Sequence, residues 1–145
     1  MAMNSEIDDL QRPITVAPET TDLDTVCESV DMVVLTSFEE SQLDGEPDLV
    51  LELIDLYLTE TVRLLVDMQE ALTNKDELSI KRAAHSLRGS SSSLGILQMA
   101  FICDELERTE FKDMFAIASE LLKCMEQEFA RVSQILLAER QRRGE

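Results

Sequence analysis

The chain is poor in the residues on which β-rich folds and most nucleotide-binding enzymes depend. Its 145 residues include no Trp, one Tyr, four Gly and three Pro. A sandwich or barrel draws on aromatic, β-branched and turn-forming residues in number, so this composition favours helices. The four glycines, Gly45, Gly89, Gly95 and Gly144, cannot be assembled into a glycine-rich phosphate loop. An autonomous kinase is therefore not expected. There are three cysteines, Cys27, Cys103 and Cys124, widely spaced and without a C-x-x-C pair, so neither a disulfide framework nor a zinc site is expected. Cys103 and Cys124 lie in helical apolar patterns and are expected to be buried. One histidine, with no cysteine near it, starves a metal site of ligands. The first thirty residues lack an apolar signal core. The longest charge-free stretch, Gly89 to Cys103, is too short and too rich in Ser and Gly to span a membrane. The expectation is a soluble, cytoplasmic helical protein without a bound cofactor.

Positive charge is also scarce, at 13 Lys and Arg against 30 Asp and Glu, a net charge of −17. Nucleic acid is a poor partner for so acidic a chain. No D-x-[DN]-x-[DN]-G loop supports a calcium site. The distribution is uneven. Residues 1–32 carry one base and eight acids, residues 33–80 two and twelve, and residues 81–145 ten of each.

What is present is helical periodicity. Residues 1–32 hold Pro13, Pro18 and scattered acids without a sustained period, and read as a flexible acidic tail. Ser37 with Glu40, or Thr36 with Glu39, offers a capping box for a short first helix that Gly45 ends. Pro47 suits the first position of a second helix. That helix carries Val50, Leu53, Ile54, Tyr57, Thr61, Leu64, Leu65, Met68 and Leu72 at i, i+3, i+4 spacing. Asn74-Lys75-Asp76 makes a tight turn, with Asp76 as the next N-cap. A third helix runs from about Glu77 to Leu94 and stops near Gly95. A fourth holds Ile96, Met99, Ala100, Cys103 and Leu106. After a break near Arg108–Lys112, a long last helix carries the stripe Met114, Ala118, Leu121, Met125, Phe129, Val132 and Leu136. Short connections between long helices imply antiparallel neighbours. The expected fold is all-α, an antiparallel four-helix bundle over residues 33–145 with an extra short N-terminal helix.

The histidine, His85, stands on the third helix in Ala84-His85-Ser86-Leu87-Arg88-Gly89-Ser90-Ser91-Ser92-Ser93-Leu94-Gly95. At ~100° per residue, Ile80, Ala83, Ala84, Leu87, Ser91 and Leu94 fall on the far side of the wheel from it. Lys81, Arg82, Arg88, Gly89 and Ser92 fall within about 60° of it. The ring is thus expected to face out, among cations and beside a glycine. A core histidine is argued against by this placement, and an idle surface histidine leaves the neighbouring glycine and cations to coincidence.

The segment resembles the signature of histidine-containing phosphotransfer domains, in which Ala-His-x-Leu-Lys-Gly-Ser-Ser is followed by Leu-Gly. Leu87, Gly89, Ser90, Ser91, Leu94 and Gly95 match around His85, and Arg88 replaces the usual lysine. The helices around it extend the resemblance over roughly residues 35–140. The resemblance implies that His85 accepts a phosphoryl group from an aspartyl phosphate on a receiver domain and passes it to another receiver. It also implies that Mg²⁺ belongs to that partner. The partners would be receiver domains of hybrid sensor kinases and response regulators, and the protein a monomeric intermediary, not an enzyme turning over by itself.

The chemistry fits the residues. Imidazole titrates near ~6.5, so a neutral ring with a free lone pair is available at physiological pH. Phosphoryl transfer asks little of a protein beyond positioning and charge stabilisation. Arg88 and Lys81, and less directly Arg82, are candidates to meet phosphoryl oxygens or the partner. Ser92 falls beside His85 and could bond the ring or the phosphoryl group, while Ser90 and Ser91 turn inward as small packing residues. Gly89 sits in mid-helix, where glycine costs about 0.5–1 kcal/mol relative to alanine, which close approach of a partner explains. The competing reading is an acidic helical adaptor that docks receivers or other signalling proteins without phosphotransfer.

Overall fold

The structure, a computed structural model, describes residues 29–41, 45, 48–110 and 112–144. Among them it holds a short helix α1 (Met32–Ser37) that runs into a 3₁₀ turn (Phe38–Ser41), then α2 (Leu49–Thr73), α3 (Glu77–Ser93), α4 (Leu97–Arg108) and α5 (Met114–Gly144). α3 packs on α2 and α4, and α5 closes the bundle against α2 and α4. This is the expected four-helix bundle with its extra N-terminal helix.

The core follows the apolar periodicity. Ile54, Met68, Ile80, Leu87, Met99, Leu106, Met125 and Leu136 are fully enclosed. Each such side chain stabilises the fold by about 1.5–3 kcal/mol relative to exposure. On α5 the inward position is Leu122, with Leu121 only half-buried. Cys103 is buried as expected, but Cys124 is exposed, because it lies on the solvent side of α5 between the inward-facing Leu122 and Met125.

Three local expectations at the N-terminal end are corrected. α1 is capped by Asp31, whose carboxylate accepts from the Val33 amide at 3.0 Å. Thr36 and Ser37 instead end that helix, donating back to the Met32 and Val34 carbonyls. α2 begins at Leu49, capped by Asp48, which accepts from the Val50 and Leu51 amides. A carboxylate satisfies two free amides where proline could satisfy none; Pro47 itself lies outside the described residues. The boundary drawn after residue 32 also falls too late. Ser29 and Val30 are already buried, and the Asp31 amide donates to the Gly95 carbonyl at 2.7 Å. Residues 1–28, the rest of the expected tail, lie outside the described residues.

The two turns that flank α3 are built alike. At its start, the Asp76 amide reaches back to Ala71 O and the Lys75 amide to Leu72 O, with Lys75 at φ +57°. Asp76 then caps α3 through the Ser79 amide and hydroxyl. At its end, the Ile96 amide bonds Ser91 O and the Gly95 amide bonds Ser92 O, with Gly95 at φ +79°. Both are Schellman closures. A Cβ on Gly95 would stand 2.8 Å from Val34 Cβ and 3.0 Å from Asp31 O. Gly95 therefore serves both the turn and the close approach of α1, which closes over the α3–α4 connection.

Candidate functional site

α3 is held in register by its inner face. Ser91, wholly buried, shares a 2.8 Å hydrogen bond with the Tyr57 hydroxyl of α2. Burial pushes the Tyr57 hydroxyl up to about 12, so it stays a neutral partner at any working pH. With Ile80, Ala83, Ala84 and Leu87 also buried, the opposite face of α3 must point outward. His85 stands on that face with its side chain 66% exposed.

The ring is braced from one edge. His85 Nδ1 lies 2.7 Å from Glu107 Oε2, a carboxylate in the last turn of α4. Arg88 Nε donates to the other oxygen, Oε1, at 2.5 Å. Arg88 Nη2 also lies 3.3 Å from His85 Nδ1. One nitrogen cannot both donate to a carboxylate and accept from a guanidinium. The shorter, charge-assisted contact decides, so Nδ1 carries the proton and donates to Glu107. The lone pair of the neutral ring is then on Nε2, the nitrogen away from the brace.

Glu107 was not singled out from the sequence. A carboxylate at a helix C-terminus is disfavoured by the helix dipole. Partial burial also pushes its carboxyl up, yet the hydrogen bonds from Arg88 and His85 and the Arg88 charge outweigh this and hold it below the usual carboxylate range. The signal that could have found it is the antiparallel turn. Positions 85 and 107 lie equally far from Ile96 along the chain, so a hairpin of α3 and α4 brings them level.

The remaining expected residues divide between the flanks. Gly89 is exposed, one turn beyond His85, and a Cβ there would meet nothing within 4 Å. No internal packing requirement accounts for it. Ser92 is exposed on the same ridge, while Ser90 is half-buried and bonds back to the carbonyls of its own helix. Lys81 is not brought to the ring. Its Nζ donates to Thr109 O at 2.5 Å, at the end of α4, and lies 3.7 Å from Glu77. Arg82 leans the other way and lines an open groove of ≈ 400 Å³ between α2 and α3, together with Arg63, Asp67, Asp76 and Ser86. The cations that the wheel clusters around His85 are thus split, with Lys81 and Arg88 bound on the α4 side and Arg82 on the α2 side.

An exposed imidazole on a helical bundle, one nitrogen tied to a carboxylate and the other free, is the arrangement expected of the phosphotransfer family that the segment around His85 resembles. Comparison with known proteins agrees. Residues 52–135 match the family model described as the Hpt domain. The chain is 34% identical over 71 residues to histidine-containing phosphotransfer protein 2 of Arabidopsis thaliana (47% of this chain, 46% of that protein). It is 29% identical over 91 residues to histidine-containing phosphotransfer protein 5 of the same plant (59% and 55%). It spans about half the length of these curated relatives. The crystal structure of histidine-containing phosphotransfer protein B (HptB) from Pseudomonas aeruginosa PAO1 superposes with a TM-score of 0.67 at 30% identity, over 79% of this chain and 96% of that one. The chain belongs to the Hpt domain family.

Among the described residues no helix is long and apolar enough to cross a membrane.

Proposed function

We propose that this protein is a phosphorelay intermediary in which His85 accepts a phosphoryl group from the aspartyl phosphate of one receiver domain and yields it to the aspartate of another. The observation that carries the reading is the exposed His85 ring with Nδ1 bound to Glu107 and Nε2 free. In the forward step the Nε2 lone pair forms the N–P bond while the acyl P–O bond breaks. The electron pair leaves with the receiver's aspartate, and the ring gains positive charge. The Glu107 carboxylate on Nδ1–H offsets that charge. Onward transfer is the reverse on a second receiver. Mg²⁺ is assigned to the receiver, whose acidic pocket would need it. The chain contributes the nucleophile and its positioning, and so acts as a substrate-like carrier and not as a kinase.

Gly89 leaves the ridge beside His85 open to the partner, and the exposed Ser92 on the same ridge is a polar group left to meet it. We place the protein in the cytoplasm as a monomer, where receivers reside. The test is transfer from a panel of phosphorylated receivers to the purified protein. A cognate receiver should lose its phosphate as acid-labile, base-stable label appears on this chain, and a second receiver should then collect it. Receivers that bind without any transfer of label would instead establish the docking adaptor.

A further inference from the structure

The interior of the bundle, on the side of α3 away from His85, holds polar groups that its hydrogen bonds do not satisfy. Tyr57 and Thr61 stand one turn apart on the inward face of α2, and both are buried. Ser91 reaches Tyr57 from α3 through the 2.8 Å bond between their hydroxyls. Glu128 enters from the inward face of α5 and is only 4% exposed. Its Oε1 accepts from Arg131 Nε at 3.2 Å, and that arginine is half exposed. Its Oε2 and the Thr61 Oγ1 are enclosed and have no hydrogen-bond partner among the described residues. Both atoms belong to the surroundings of one hydroxyl. Burial chiefly pushes Tyr57 up, while the Thr61 hydroxyl pulls it back and the Glu128 charge adds to the rise, so both side chains lie within range of the Tyr57 oxygen.

We propose that Thr61 Oγ1, Glu128 Oε2 and the Tyr57 hydroxyl form a binding site for one ordered water, which joins α2 to α5 in the interior of the bundle. An enclosed carboxylate oxygen without a donor is among the costliest groups a core can hold, and folded proteins satisfy such atoms with protein groups or with water. The donor count fits. The water accepts from the Thr61 hydroxyl, donates one hydrogen to Glu128 Oε2 and gives the other to the Tyr57 oxygen. Tyr57 then donates to Ser91, which uses the bond already present. Three hydrogen bonds are the usual complement of a buried water. A cation fits less well, because hard cations gather about six or more oxygens and Glu128 already answers Arg131 through its other oxygen. The consequence is register. One alignment of α2 against α5 brings Thr61 and Glu128 to the same hydroxyl, and a slip of one turn loses the site.

The test uses the full chain and has two parts. A high-resolution crystal structure of the wild type should show one density peak about 2.5–3.0 Å from Thr61 Oγ1, Glu128 Oε2 and the Tyr57 oxygen alike. Urea unfolding is then measured for Thr61→Val, Glu128→Leu and the double variant. Thr61→Val keeps the shape of the side chain and removes the hydroxyl, so Oε2 and the water lose a partner and the urea midpoint should fall. Glu128→Leu should lower it too, and frees an arginine that water can solvate. The double variant leaves neither group in need of a partner, so its loss should be well below the sum of the two. A direct Thr61–Glu128 hydrogen bond with no density between them would overturn the water site. So would additive losses in the double variant. A wild-type midpoint that rises with sodium or potassium chloride but not with choline chloride would overturn it in favour of a bound cation.

Discussion

Replacing Gly95 with alanine is expected to destabilise the bundle severely, and the same change at Gly89 is expected to stabilise it. Both glycines belong to one short motif, Gly89 in mid-helix and Gly95 at the helix stop. Gly95 stands at φ +79°, where a Cβ costs about 1–2 kcal/mol. The new methyl would also lie 2.8 Å from Val34 Cβ and 3.0 Å from the Asp31 carbonyl. The Asp31 oxygen is backbone, held in place by the Val34 and Leu35 amides it accepts from and by the bond of the Asp31 amide to Gly95 O, so relief requires moving α1 off the α3–α4 connection. Overpacking of this kind adds about 1–3 kcal/mol. The sum is about 2–5 kcal/mol, or roughly 8–20 °C in Tm for a domain of this size. At Gly89 nothing lies within 4 Å of the added atom, so alanine gains about 0.5–1 kcal/mol of helix propensity. Urea titration and thermal melts followed by circular dichroism measure both. A Gly95→Ala protein as stable as wild type, or a Gly89→Ala protein weakened by more than about 1 kcal/mol, would refute the reasoning.

Gly89→Gln should fold with wild-type stability and label normally with phosphoramidate, yet bind and exchange with receivers poorly, because its side chain projects beside His85; normal exchange in a receiver assay would show that no partner closes over this ridge. A chain starting at residue 33 should melt below one starting at residue 29 by about 2–4 kcal/mol, since it lacks buried Val30, the Asp31 cap and the bond to Gly95; equal melting of the two would show that the segment adds nothing. Arg143, whose side chain is 8% exposed, joins Glu139 at 2.7 Å and Asp48 at 3.0 Å and also pairs with Glu39, so Arg143→Ala should cost about 3 kcal/mol at neutral pH. Hydrogen bonds from Arg142 and Arg143 hold Glu139 below its ordinary 4.5, and at Asp48 the Arg143 and amide hydrogen bonds outweigh burial and hold it below 3.8. A depressed carboxylate stabilises the fold fully above its unfolded value and loses that contribution as pH falls through the folded one. Wild-type stability should therefore decline below about pH 4.5, and the gap between wild type and Arg143→Ala should narrow there; a gap independent of pH in acid melts would count against the network.

The helices, their faces and the outward ring were legible because they depend on local periodicity. A buried Leu87 and an exposed His85 follow from a period of 3.6 and nothing else. Tyr57 and Thr61 could be placed inside for the same reason, but the Tyr57–Ser91 bond depends on how α2 meets α3. Glu107 was hidden because its role arises from the pairing of two helices across a turn. The wheel also overstated the cluster of cations. It fixes direction from one helix axis, whereas Lys81 and Arg88 are turned by acceptors on α4, the Thr109 carbonyl and the Glu107 carboxylate. At the N-terminal end, competing cap residues stood within a few positions of one another. Asp31 and Asp48 prevailed because each stands just before the first helical turn, where its carboxylate reaches the free amides, while Thr36 and Ser37 fall in the last turn of α1.

Mapping the phosphate to a residue tests the assignment of His85 as acceptor most directly. The protein would be incubated with a phosphorylated receiver, digested under alkaline conditions that preserve phosphohistidine, and the labelled peptide sequenced by mass spectrometry, with His85→Gln in parallel. Phosphate is expected on His85 alone, and none in His85→Gln even though that protein folds and still binds the receiver. Phosphate on a serine of the Ser90–Ser93 run, or acid-labile label persisting in His85→Gln, would contradict it.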